Sequence, residues 1–93
     1  MKLRSAVGRE IYHRKQEKAF HFWASVYPER KKEYEYHREL GDFWRMVVKT
    51  GVYEVMPEDP ELIEEIYMST PELRRCVQEN DVEGFKKLFV EVK

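Results

Sequence analysis

VGREIYHRKQEKAFHFWASVYPERKKEYEYHRELGDFWRMVVKTG, residues 7–51, carries two apolar periodicities separated by one proline. From Val7 to Tyr27, the side chains of Ile11, Tyr12, Ala19, Phe22, Trp23 and Val26 recur at spacings of three, four and seven. At about 100° per residue these, with Phe20 and Tyr27, fill roughly half a helical circumference. A long amphipathic helix is predicted, with that arc turned to the core. Pro28 ends it, because the residue before a proline is pushed out of the α region, and the same proline can open the next helix. From Glu29 to Thr50, Tyr34, His37, Leu40, Phe43, Trp44, Val47 and Val48 share a second face, and Gly51 supplies a C-terminal stop. Gly41-Asp42 inside this segment allows either close helix contact or a break; a straight or mildly kinked helix is expected. The two helices pack as an αα-hairpin anchored by Trp23 and Trp44.

Beyond the hairpin the pattern shortens. Val52-Tyr53-Glu54-Val55 alternates but is too short to stand as a strand without a mate. Asp59-Pro60-Glu61-Leu62, Thr70-Pro71-Glu72-Leu73 and Asp81-Val82-Glu83-Gly84 then recur eleven residues apart. Each offers a capping side chain, a residue suited to the first helical position and an acid in the first turn. Each marks a helix of about ten residues, too short to be stable alone. These helices must dock on the long ones. The expected fold is therefore all-α, one helical domain over 1–93: a basic, aromatic hairpin (7–50) with about three short acidic C-terminal helices (59–92) packed on it.

The charge follows the same division. Residues 1–50 carry 12 Lys/Arg against 7 Asp/Glu, and residues 51–93 carry 5 against 11, so +5 and −6 sum to the net −1. Ten of the thirteen aromatics fall before residue 54. Such polarity can be used to fold the chain on itself, to assemble copies head to tail or to meet an acidic partner. Neutralisation between the hairpin and the acidic helices is the first expectation. Glu, Lys and Arg fill 32 of 93 positions while neutral polar residues are scarce, the pattern of proteins that work hot.

Several classes find no support. No run approaches the roughly 18 apolar residues of a membrane span, and the first residues lack an apolar leader, so a cytoplasmic chain is expected. Cys76 has no disulfide or CxxC partner and reads as a small buried apolar residue. The three serines and two threonines sit in no nucleophile elbow, and the glycines lie too far apart for a phosphate loop. No enzyme, cofactor or metal is expected. His13, Glu17 and His21, with Glu10 one turn earlier, form a polar stripe that could hold a divalent cation, but the stripe lies opposite the apolar arc and ordinary i, i+4 surface pairing is the favoured reading. Whether the stripe binds metal stays open.

Two groups remain as candidate sites. Glu33 and His37, one turn apart on the apolar arc of the second helix, are expected as a buried polar pair. The stretch Arg30, Lys31, Lys32, Tyr34, Tyr36 and Arg38, interleaved with Glu29, Glu33, Glu35 and Glu39, presents mixed charge with tyrosine anchors. That composition suits a protein face better than a uniform phosphate backbone. The functional expectation is a small helical protein–protein interaction module, such as an adaptor, regulator or assembly subunit, that self-associates. The alternative is a nucleic-acid-binding protein in which the basic hairpin tracks phosphates and its tyrosines stack on bases.

Overall fold

A computed structural model describes residues 1–91. Five α-helices follow in order: α1 (Leu3–Val26), α2 (Lys31–Thr50), α3 (Pro60–Met68), α4 (Pro71–Gln78) and α5 (Val82–Glu91), with no strand among the described residues. The two long helices form the expected hairpin, and the three short ones follow it.

The helix ends obey the local chemistry. Tyr27 leaves α1 in an extended conformation and Pro28 opens a 3-10 turn that runs directly into α2. α2 is uninterrupted through Gly41-Asp42 and stops at Gly51, whose φ of 78° is the left-handed cap geometry that glycine adopts without steric cost. Val52–Val55 becomes a 3-10 turn rather than a strand. Asp59 caps α3 by accepting from the Leu62 N–H at 3.2 Å, and Asp81 accepts from the Gly84 N–H at 3.0 Å at the start of α5. Thr70 departs from the pattern, because its hydroxyl donates back to the Ile66 carbonyl at 2.7 Å instead of capping α4.

The core lies at one end of the hairpin. Leu40, Phe43, Trp44 and Val47 of α2 are fully buried, and Ile63, Tyr67, Leu73, Cys76 and Phe85 close over them. Phe43 stacks on Tyr67 with ring centroids 4.3 Å apart and meets Phe85 edge-on at 6.0 Å. Burial raises the Cys76 thiol, as its apolar setting requires.

The first helix differs from the sequence-based expectation in orientation. Only Ala6 and His13 of α1 are buried, while Ile11, Tyr12, Phe22, Trp23 and Val26, the arc expected in the core, are 43–62 % exposed. The seam against α2 runs instead through Ala6, His13, Phe20 and Ala24, at intervals of seven, seven and four, close to the a/d spacing of paired helices. Trp44 anchors the hairpin; Trp23, 47 % exposed, does not.

Two parts of the hairpin therefore have different surroundings. Its open end, with α3, α4 and α5, is the base. Residues 14–39 form an arm in which no side chain is buried, since α1 and α2 there have only each other for cover. From Arg14 to Val26 the arm extends about 18 Å at the usual helical rise. The molecule measures 44 × 25 × 19 Å. At the junction the Arg14 guanidinium lies over Gly41, where a Cβ would come within 2.9 Å of it, and reaches Asp42 at 2.7 Å and Glu17 at 2.9 Å.

Candidate functional site

A single carboxylate organises the junction. Glu64, placed on the inner side of α3 one turn before the 3-10-like end of that helix, is 5 % exposed and faces both long helices. Arg9 donates to it twice, at 2.7 and 2.9 Å, His13 Nε2 lies at 2.6 Å, and Trp44 Nε1 donates at 2.7 Å. Burial alone would raise this carboxyl. The hydrogen bonds from His13, Arg9 and Trp44 outweigh it and bring the group from 4.5 to about 2, so Glu64 is an anion at neutral pH.

The ionised carboxylate can only accept, so His13 Nε2 carries the proton. When His13 is neutral, its Nδ1 is then an acceptor, and His37 Nδ1, 2.9 Å away, donates to it. A carboxylate–imidazole–imidazole chain results, running from α3 through α1 to α2. Phe20 stacks on His37 at 5.5 Å, and Tyr12 and Tyr36 meet it edge-on at 6.2 and 5.2 Å. Burial, followed by the neighbouring His13, pushes the His37 imidazole below its ordinary value. Arg9 also lies over the Tyr12 ring, 4.8 Å from its centroid. The chain of groups ends among aromatic rings; an open groove beside Glu64 is lined by Arg9, Tyr36, Glu61, Glu65, Met68 and Ser69, not by His37. What this arrangement does is pin α3 to both long helices through one charge.

A second cross-link lies nearby. Arg74 of α4 donates to Glu39 of α2 twice, each at 2.9 Å. The buried Tyr67 hydroxyl sits close enough to Glu39 to feel its charge but lacks bonding geometry, and burial with that charge raises it. The charge division of the sequence is thus used within the fold only in part: Arg9–Glu64 joins basic to acidic half, whereas Glu39–Arg74 joins them in the opposite sense.

The sequence-predicted groups are distributed differently. Glu33 and His37 do not pair: the Glu33 carboxylate accepts from Arg30 at 3.1 Å and is 45 % exposed, while His37 turns to His13. The cause is that α1 brings an imidazole to His37 and leaves Glu33 at the solvent edge. The stripe His13, Glu17 and His21 is also divided. His13 points inward, Glu17 pairs with Arg14, and His21 lies against Tyr34 at 5.3 Å between ring centroids. No group of three or more potential ligands is brought together among the described residues.

Arg30, Lys31, Lys32, Tyr34, Tyr36 and Arg38 all lie on the arm. Arg30 pairs with Glu33, and Lys31 approaches Glu35 at 4.0 Å with both side chains mostly in solvent, a weak contact. Lys32 and Arg38 are exposed, and Tyr36 is 43 % exposed. What sequence reasoning missed is the larger exposed face of α1: Phe22, Trp23 and Val26 on the arm, continued by Ile11 just before it. Lys15 and Lys18 flank them, form no ion pair among the described residues and are exposed. Placing these positions about 100° apart puts the whole set within roughly 140° of arc, with no carboxylate in it. No described helix is long and apolar enough to cross a membrane. No family model, curated protein or solved structure matches the chain.

Proposed function

We propose that this chain is a protein–protein interaction module whose contact surface is the arm. The observation that carries the reading is the arm's lack of any buried residue, together with Phe22 62 %, Trp23 47 % and Val26 54 % exposed along α1 and Tyr27 47 % exposed just past its end. A contiguous apolar face of that kind, rimmed by basic side chains, is costly to leave in water and is typical of an interaction site. Trp and Tyr beside Arg and Lys are the residues that dominate interface energetics. The base supplies a rigid mount through Glu64, and the mixed charges of Arg30 to Arg38 extend the contact surface onto α2.

Photocrosslinking tests the reading. A photoreactive residue at Phe22 is expected to yield discrete protein adducts in cells, and the same residue at exposed Gln78 on the base few or none of that size. Adducts to nucleic acid alone at position 22, with retention that falls steeply between about 50 and 200 mM salt, would transfer the surface to nucleic acid.

A further inference from the structure

We infer that the arm of one molecule docks on the base of a second copy, so that the chain assembles head to tail. The inference rests on the interaction reading above and names its occupant.

The base carries an exposed apolar face of its own. Val55 is 46 %, Leu62 44 % and Ile66 50 % exposed, and the surface dips beside them into an open groove of about 380 Å³ walled by Phe43, Ile63, Leu73 and Leu88. Leu62 and Ile66 lie one turn apart on the outer side of α3, turned away from the core that Ile63 and Tyr67 enter. Glu54, Glu61 and Glu65 flank this face, are exposed and form no ion pair among the described residues. One molecule thus presents two uncovered apolar faces of opposite charge: arm residues Phe22, Trp23 and Val26 with Lys15 and Lys18, and base residues Val55, Leu62 and Ile66 with Glu54, Glu61 and Glu65.

Charge selects the pairing. Arm against arm would bring Lys15 and Lys18 of both copies together on an α1 face that supplies no carboxylate of its own, with Glu29 bordering only the Trp23 end, and base against base would gather the glutamates. Like charges juxtaposed in an interface disfavour that pairing. Arm against base sets lysines opposite glutamates around an apolar centre, the arrangement of a polar rim and a desolvated core. The arm cannot reach its own base, because α1 and α2 hold it pointing away. Such a contact is heterologous: each bound molecule still offers a free arm and a free base, so assembly closes into a ring or continues as a filament.

Sedimentation of purified protein and of two double variants provides the test. Phe22→Gln with Val26→Gln disables the arm, and Leu62→Gln with Ile66→Gln disables the base; all four positions are exposed, and circular dichroism verifies that each variant is folded. Wild type is expected to gain mass with concentration beyond a dimer, each variant alone to remain monomeric, and their equimolar mixture to stop at a pair with one intact contact. A base variant that associates as wild type does would mean arm-to-arm pairing and overturn the inference. A wild type that stays monomeric at about 1 mM, the weak end of specific affinity, would overturn it too, while leaving the crosslinking test of the interaction reading unaffected. Should a Gln variant misfold, charge exchange keeps the test open. Lys15→Glu with Lys18→Glu, or Glu61→Lys with Glu65→Lys, is expected to weaken assembly on the order of tenfold or more, and all four together in one chain to restore it. Failure of the combined variant to recover would count against the pairing.

Discussion

The two tryptophans of the hairpin contrast base and arm most sharply. Trp44 is fully buried, stacks edge-on against Phe43 and donates its indole N–H to Glu64, whereas Trp23 is 47 % exposed and meets Phe22 of its own helix and Tyr27 just past the helix end. The residue type is the same; the layer above it is not. Helix pairs bury a full apolar arc only where a further element covers them, and here α3, α4 and α5 cover one end of the hairpin. The arm keeps the composition of a core in the position of a surface.

The largest effect that would break this contrast comes from Trp44→Ala. It is expected to cost about 4–5 kcal/mol in urea unfolding, as removal of a buried aromatic does, because the cavity is enclosed and Glu64 loses a donor. Glu64→Gln is expected to follow at about 3 kcal/mol, since breaking a buried charge cluster from one side leaves its partners uncompensated. A loss under about 1 kcal/mol for that variant would mean that the Arg9–Glu64–His13 cluster does not hold the base together.

Acid should separate the two regions next. The Glu64 carboxyl is depressed from 4.5 to about 2, so its stabilisation is complete above its unfolded value and is lost as pH falls from about 4.5 toward 2. His37 is lowered below 6.5, so the native state favours the neutral ring; that contribution is present above 6.5 and is lost as pH falls below it. Both act in the same direction. The groups facing His37, namely His13, Glu64, Glu33, Arg9 and Tyr12, do not reverse it. Stability measured from pH 7 to 3 should fall in two stages, with His37→Asn removing the upper one and Glu64→Gln the lower; a flat profile in wild type would contradict both assignments.

Smaller effects belong to the arm. Trp23→Ala is expected to change stability by less than about 1 kcal/mol while weakening association, and reversal of Arg30, Lys31 and Lys32 together should slow association and alter its salt dependence without shifting the melting temperature noticeably. If Trp23→Ala destabilised the chain as much as Trp44→Ala, the arm would have a cover that the structure does not show. Native-state hydrogen exchange sharpens the same comparison: arm amides should open at lower free energy than those around Leu40–Val47.

Much of the architecture was legible because it is written in short-range chemistry. Pro28, Gly51 and the caps at Asp59 and Asp81 act on neighbouring backbone, and the α2 residues Leu40, Phe43, Trp44 and Val47 form a dense stripe with one reading. α1 was misread for a physical reason. Periodicity assigns the widest apolar arc to the core, yet the seam of α1 is held by Ala6 and His13 and by a charge supplied from α3. A polar core leaves no hydrophobic signature. The available signal was Glu64 itself, next to Ile63 and three residues before Tyr67 on the inner arc of α3, a carboxylate that needs cationic partners once buried. Glu33 and His37 illustrate the converse: spacing within one helix suggested a pair, and a residue from another helix claimed one member.

Glu64 stands 55 and 51 residues after the Arg9 and His13 that it bonds. At typical synthesis rates of about 5–20 residues per second, those two side chains wait roughly 3–10 s for their carboxylate, while a helix forms in about a microsecond. Throughout that interval the nascent hairpin has its outer aromatic face in water, and Arg9 and His13 lack the acceptor that completes the base. The same late residue that locks the finished base thus sets the period during which the growing chain is most open to capture by its neighbours.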